Sequence, residues 1–311
     1  DTLEKFNIPY DELYFGKPHA DFYIDDNAVS AYDNLEKEIG FYQDTIKTRD
    51  FNSVEKTFIQ IYTKRSKNLA GEIYYYSNIP SEIKDMFPLF IDYDIHNTWY
   101  SIEKINGLTI STLYLSELLT SNTLESIMKS IKRIQTVNVP VDQHINIYKN
   151  YKDKLKQRYE EYNYNKFPNS KETYLKLYEQ LHDYEIHEKG KIACIHGDSV
   201  FTNILINEHE KIKFIDMRGE QGNKLTIYGD WLYDWGKLYQ SLLGYDEILL
   251  DKDIQLTYKK KMLDTFKTIF TNWFSEEDFQ NVVMITNSLL FTLIPLHDNE
   301  KCIQYYNMIK I

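Results

Sequence analysis

Between Ile192 and Asp216 the chain holds two short apolar runs around a polar turn, and no other stretch restricts the fold as tightly. The first run, Ile204-Leu205-Ile206, comes soon after His196-Gly197-Asp198. The second, Ile212-Lys213-Phe214-Ile215, ends on Asp216. Asn207 to Lys211 supply turn residues, so the pair reads as an antiparallel hairpin. A turn centred near His209 sets Leu205 against Lys213. Asn203 then falls opposite Ile215 and beside Asp216. An amide oxygen and a carboxylate thus meet at one edge of the hairpin, with Asp198 in the loop just before it.

The flanking sequence says where this hairpin sits. Upstream, residues 55–63 read as one β-strand, rich in β-branched and aromatic side chains. Ala70 to Ser77 reads as a helix. Trp99 to Ile105 alternates like a strand, and Asn106-Gly107 stops it. From residue 110 the apolar spacing turns helical, over 113–136, 141–163 and 171–186. After the hairpin it is helical again over 229–245, 252–274, 276–296 and 298–309. The expected fold class is therefore α+β and bilobal. A small α/β lobe occupies about 41–105 and a mainly helical lobe 106–311, with the β island inside the second lobe. Two lobes make a cleft, and clefts hold ligands.

Composition narrows the function classes. A chain of 311 residues suits one bilobal unit. The formal charge is −11 and no Lys/Arg block forms a stripe, which argues against a nucleic-acid partner. No window of 18 uncharged apolar residues occurs, so no membrane span is expected. Cys194 and Cys302 cannot make a disulfide framework, and a reducing cytoplasm is the expected compartment.

One carboxylate in a tight loop, with Asn five and Asp eighteen residues on, suits phosphoryl transfer. Asp198 would orient an attacking hydroxyl and accept its proton. Asn203 and Asp216 would hold Mg²⁺ on nucleotide phosphates, hard oxygens for a hard cation. No His/Cys cluster suits zinc.

His-Gly-Asp, Asn five residues later, and an apolar strand ending in Asp resemble the aminoglycoside phosphotransferase and choline kinase superfamily, which has a protein-kinase-like fold. The resemblance implies Asp198 as catalytic base, Asn203 and Asp216 as metal ligands, and His196 as a brace for the loop. Tyr228-Gly229-Asp230-Trp231-Leu232-Tyr233-Asp234 resembles the family's following element, whose aspartates hold the catalytic loop through backbone N–H groups. Glu72 resembles the helix glutamate that pairs with a strand lysine. Gln60 occupies the place nearest to that lysine, and Lys64 is the substitute preferred over Lys56. Residues 102–107 resemble the hinge, so the backbone around Glu103 and Ile105 would read adenine. The glycine-rich phosphate loop is absent; Arg49-Asp50-Phe51-Asn52-Ser53 stands in its position. The implied activity is Mg²⁺-dependent transfer from ATP or GTP to a small-molecule hydroxyl. A sugar or polyol for glycan precursors is the leading acceptor, then choline or ethanolamine, then an aminoglycoside. The rival is a nucleotide-binding scaffold without transfer.

Three further features stay open in the sequence. Arg218, two residues past Asp216, would clamp a phosphate or carboxylate, or else form a structural ion pair. Trp231, Tyr233 and Trp235 would pack on the catalytic loop, or else form a cage for a quaternary ammonium. Residues 152–161 read as a solvated, charge-rich helix face.

Residues 1–40 carry a second resemblance. Phe15-Gly16-Lys17-Pro18 followed by Tyr23-Ile24-Asp25-Asp26 resembles the closing half of a haloacid-dehalogenase-type phosphatase. There the lysine stabilises a phosphoaspartate and the acidic pair binds Mg²⁺. The nucleophilic Asp-x-Asp is not in this stretch. The expectation is a remnant of a phosphatase domain fused upstream of residue 1, an arrangement that suggests capsule or surface-glycan precursor synthesis.

Overall fold

The computed structural model describes residues 52–58, 61–140, 144–207, 209–297 and 300–311. The resemblance over 1–40, with Lys17, Asp25 and Asp26, lies outside the described residues. So do Gln60 and Arg49 to Phe51.

The first lobe is a four-stranded antiparallel sheet with one helix. Strand β1 (Asn52–Phe58) pairs with β2 (Ile61–Ser66), and α1 (Ala70–Ser77) follows. Then come β3 (Phe90–Tyr93) and β4 (Trp99–Glu103), giving the order β1-β2-β4-β3. Helix α1 buries Ile73, Tyr75 and Tyr76. Tyr76 stacks on Phe90 at 5.1 Å between ring centroids and tilts against Tyr100 at 5.4 Å. Each fully buried aromatic contributes roughly 2–3 kcal/mol, and this cluster fixes α1 to the strands that carry Lys64.

The chain then passes through β5 (Gly107–Thr109), α2 (Ile110–Leu115), α3 (Ser121–Gln135), α4 (Lys152–Glu161) and α5 (Ser170–Ile186). Next come β6 (Ile192–Cys194), β7 (Ile204–Asn207), β8 (Ile212–Phe214), β9 (Glu220–Gln221), β10 (Lys224–Leu225) and β11 (Tyr228–Asp230). Helices α6 (Leu232–Leu243), α7 (Tyr245–Leu250), α8 (Leu256–Trp273), α9 (Glu276–His297) and α10 (Cys302–Asn307) complete it. Strands β5, β7 and β8 form one sheet, and β6 pairs with β11. The hairpin register is the expected one: Leu205 faces Lys213, and the Ile215 N–H donates to the Asn203 carbonyl at 3.0 Å.

Helix α9 is the hub of the helical lobe, packing against α4, α5, α6, α8 and α10. By length and composition it could cross a membrane, but 72% of its apolar window is buried inside the fold. Trp235 on α6 is fully buried, edge-on to Phe270 at 5.4 Å.

The structure revises several expected boundaries. Residues 55–63 span two strands, because Phe58-Ile59-Gln60-Ile61 offers no Gly, Pro, Asn or Asp to mark the turn. The expected helix over 113–136 is two. Glu117 adopts a left-handed φ of 59°, and the Thr120 side chain caps α3 by accepting from the Thr123 N–H. Of the expected helix over 141–163, only Lys152–Glu161 is helical among the described residues. Asn146 turns its side chain onto the Tyr148 N–H instead. The helix expected from 229 starts at Leu232, because Tyr228–Asp230 pair with β6.

Candidate active site

Asp198 lies in the loop between β6 and β7, and its neighbours fix that loop from three sides. Gly197 has φ +83°, and a Cβ there would come within 2.6 Å of the Arg218 Cβ, so the turn admits no larger residue without strain. The carboxylate of Asp234, on α6, accepts the His196 N–H at 2.7 Å and the Gly197 N–H at 2.8 Å. Burial pushes that carboxyl up to about 6, against the two amides that favour its ionised form. The expected loop-holding role of the aspartates fits Asp234. Asp230 serves elsewhere, accepting from the Tyr151 and Tyr184 hydroxyls at 2.6 and 2.8 Å.

His196 is fully buried and braces the loop through both ring nitrogens. Nδ1 faces the Asp198 N–H at 3.1 Å and Nε2 faces the Ile215 carbonyl at 2.9 Å. Those partners assign the Nε2–H tautomer of a neutral ring. Burial lowers its pKa from 6.5 to about 4. An imidazole NMR titration should show His196 staying neutral until about pH 4. The sign follows from linkage: the folded pKa is depressed, so the contribution is complete above 6.5 and lost as pH falls toward 4. Relative to His196→Gln, wild type should lose about 3 kcal/mol over that window. A ring that protonates near 6.5 would remove this brace from the account.

Of the three polar groups of the hairpin, Asn203 and Asp198 are in direct contact, and Asp216 bonds to Lys64 and Tyr100. The Asn203 Nδ2 donates to the Asp198 carbonyl at 2.9 Å and to its Oδ2 at 3.2 Å. Lys237 Nζ lies 3.0 Å from Asp198 Oδ1. Asp216 has φ 58°, a left-handed conformation that Asp tolerates better than most residues. Its Oδ1 is 3.0 Å from Lys64 Nζ and accepts the Tyr100 hydroxyl at 3.4 Å. The second Asp216 oxygen has no partner among the described residues. With the Asn203 amide turned so that its nitrogen faces Asp198, these oxygens fit Mg²⁺, which needs only one or two protein ligands beside phosphates and water.

Lys64 also donates to both Glu72 oxygens, at 3.1 and 3.0 Å. Tyr100, its partner across β4, donates to Glu72 Oε2 at 2.5 Å. Burial pulls the Lys64 pKa down, but Asp216 and Glu72 outweigh it, so the ammonium is held above its usual value. Burial, and then Asp216, raise Glu72. Lys64 therefore links α1 to Asp216. Lys56 pairs in register with Tyr62 on β1.

The Glu103 N–H is spent on the Leu89 carbonyl at 2.9 Å, and its carboxylate accepts the Leu89 N–H at 2.9 Å. The Ile105 N–H has no partner among the described residues. Arg218 makes no ion pair among the described residues. It donates to the Tyr233 hydroxyl at 2.8 Å and lies over that ring at 5.7 Å. Trp231, Tyr233 and Trp235 are buried, so they pack the loop and form no exposed cage.

Sequence reasoning missed Lys237 and Lys154. Lys237 follows Asp234 by three residues on α6, one turn along the face that carries the loop-holding carboxylate. That spacing was an available signal. Lys154 was hidden in a charge-rich helix whose Asp153, Lys156, Gln157 and Glu160 are exposed as expected, while Lys154 itself is half-buried.

No family model and no curated protein matches the sequence. Solved structures do. A choline/ethanolamine kinase family protein from Mesorhizobium loti superposes with TM-score 0.56 at 11% identity, covering 84% of each chain. The chain shares the fold of these kinases. Choline kinase LicA from Streptococcus pneumoniae gives 0.55 at 11% identity, covering 84% of this chain and 88% of that one. An aminoglycoside phosphotransferase from Streptomyces rimosus gives 0.51 at 14%, covering 77% and 91%. The expected bilobal kinase-like architecture is thus the observed one.

Proposed function

We propose that this protein is a Mg²⁺-dependent phosphotransferase that moves the γ-phosphoryl group of ATP or GTP onto a small-molecule hydroxyl. The observation that carries the reading is Asp198, held between the Asn203 amide and Lys237, next to an Asp216 tied to the Lys64–Glu72 pair. Nucleotide as donor is supported by two structures of the same fold, LicA with AMP and an aminoglycoside phosphotransferase with streptomycin and ATP.

Asp198 would hold the acceptor hydroxyl and take its proton as the oxygen bonds to the γ-phosphorus and the bond to the β-phosphate oxygen breaks. Lys237 lies against that carboxylate at 3.0 Å. Asn203 fixes its orientation, and Asp234 and His196 fix the loop below it. Lys64 would clamp donor phosphate, with the unspent Ile105 N–H facing the base. Mg²⁺, held by Asp216 and Asn203, would neutralise phosphate charge. The proposed acceptors are sugars, polyols or related glycan-precursor metabolites. Trp231, Tyr233 and Trp235 are buried, so these three form no exposed cage for choline.

Calorimetry should find nucleotide binding that requires Mg²⁺, and ³¹P NMR over a panel of alcohols should find a phosphorylated product. Lys64→Ala should raise the nucleotide KM by about tenfold or more, the loss of a charged phosphate contact. Nucleotide binding indifferent to both Mg²⁺ and Lys64 would sink the reading.

A further inference from the structure

Among the described residues, positive charge gathers around Asp198. Lys237 touches Asp198 directly, at 3.0 Å. Arg218 reaches the same loop from beyond β8. Its N–H donates to the His196 carbonyl at 3.0 Å, its side chain lies against Gly197, and its guanidinium rests on Tyr233, one turn before Lys237 on α6. Lys154 approaches from α4. Tyr151, at the start of that helix, has its ring 6.0 Å from the Tyr233 ring, and Lys154 stands one turn further on.

Three cationic side chains from three separate elements therefore converge where Asp198 is the shared carboxylate. Glu220, near Arg218, is exposed, and Arg158 adds a further positive charge behind Lys154. Lys154 has no hydrogen bond or ion pair among the described residues. Burial, then Arg218, Lys237 and Arg158, drive its pKa well below the usual lysine value, and Asp198 opposes them only in part. Half-buried cations with a single carboxylate contact among them cost stability. The whole chain has charge −11, so this surplus is local.

We propose that Lys154, Arg218 and Lys237 form an oxyanion subsite that seats a carboxylate or phosphate on the acceptor, so that the substrate is an anionic alcohol such as a sugar acid or sugar phosphate. The inference rests on the phosphotransferase reading for the hydroxyl chemistry, but the subsite itself stands on its own geometry. Arg218 brings a planar fork with donors left over after its bond to Tyr233, and Lys154 and Lys237 come from α4 and α6, the two helices joined by the Tyr151–Tyr233 contact. An anion there would relieve the repulsion and turn its hydroxyl toward Asp198. A cationic acceptor would add to the repulsion.

The test is calorimetric titration of sodium sulfate, with acetate as the monoanion, into the whole chain. It is done with MgADP present and again with a non-hydrolysable MgATP analogue. Sulfate or acetate should bind in both cases, and Lys154→Met and Arg218→Met should each weaken binding by about tenfold or more. Sulfate tighter than acetate marks a phosphate-bearing acceptor; the reverse order marks a carboxylate-bearing one. Lys154→Met should also raise the melting temperature, which a structural lysine would not do. Absence of anion binding, or binding unchanged in both variants, overturns the subsite. Binding lost when the analogue fills the γ-phosphate position overturns the acceptor assignment and gives the cations to the donor. Nucleotide binding is read in the same titrations. Its failure with anion binding intact would strike the phosphotransferase reading and leave the subsite standing.

Discussion

Asp198→Asn should lower kcat by about 10²–10⁴-fold, the range for loss of a general base, while nucleotide affinity stays near wild type. The carboxylate faces the acceptor side, with Oδ1 on Lys237 and Oδ2 on the Asn203 amide, whereas the Lys64–Glu72 pair gathers on Asp216. The amide substitution keeps shape but removes the proton acceptor and leaves Lys237 facing a neutral group. Lys237 then joins Arg218 and Lys154 as another unneutralised cation. Anion affinity should accordingly rise in this variant as transfer falls, a pairing that loss of folding cannot produce. Undiminished turnover would end the assignment of Asp198.

The largest effect on stability should come from Asp234→Ala. Its carboxylate is the partner of two buried backbone N–H groups, those of His196 and Gly197. Removing it strands both donors where water does not reach, which costs on the order of 1–3 kcal/mol for each. Chemical denaturation should show a loss of about 3 kcal/mol or more, with activity falling further because the Asp198 loop loses its anchor. Asp230→Ala is the comparison. Its partners are chiefly tyrosine hydroxyls, which can rotate toward other acceptors, so its cost should fall mainly on stability. An Asp234→Ala protein with wild-type stability would mean the loop is held by something other than this carboxylate.

Much of this site was legible before any coordinates. The hairpin register follows from one turn and the period of two, so the meeting of Asn203 with Ile215, the residue before Asp216, could be counted off. The strand lysine was harder. Gln60 lay nearest in spacing, and only the register of β2 against β4, with Lys64 opposite Tyr100, explains how Lys64 reaches both Glu72 and Asp216. Helix breaks at Ser116–Thr120 and before Lys152 escaped periodicity, because Asn, Ser and Thr side chains there compete for backbone groups without interrupting the apolar pattern.

The local chemistry of the catalytic loop, its hairpin and the aspartate that holds it is encoded over short distances, where chain geometry leaves few choices. That part the sequence alone determined. The charge around the acceptor is a different kind of property. Lys154, Arg218 and Lys237 are separated by 64 and 19 residues; Arg218 alone draws notice beside Asp216, and the two lysines read singly as ordinary surface cations. Only the packing of α4 against the core brings Lys154 toward the other two, and electrostatic repulsion depends on distance in space, to which a sequence pattern is blind. The tertiary structure thus decided where this charge gathers, and the proposed anionic acceptor follows from that placement.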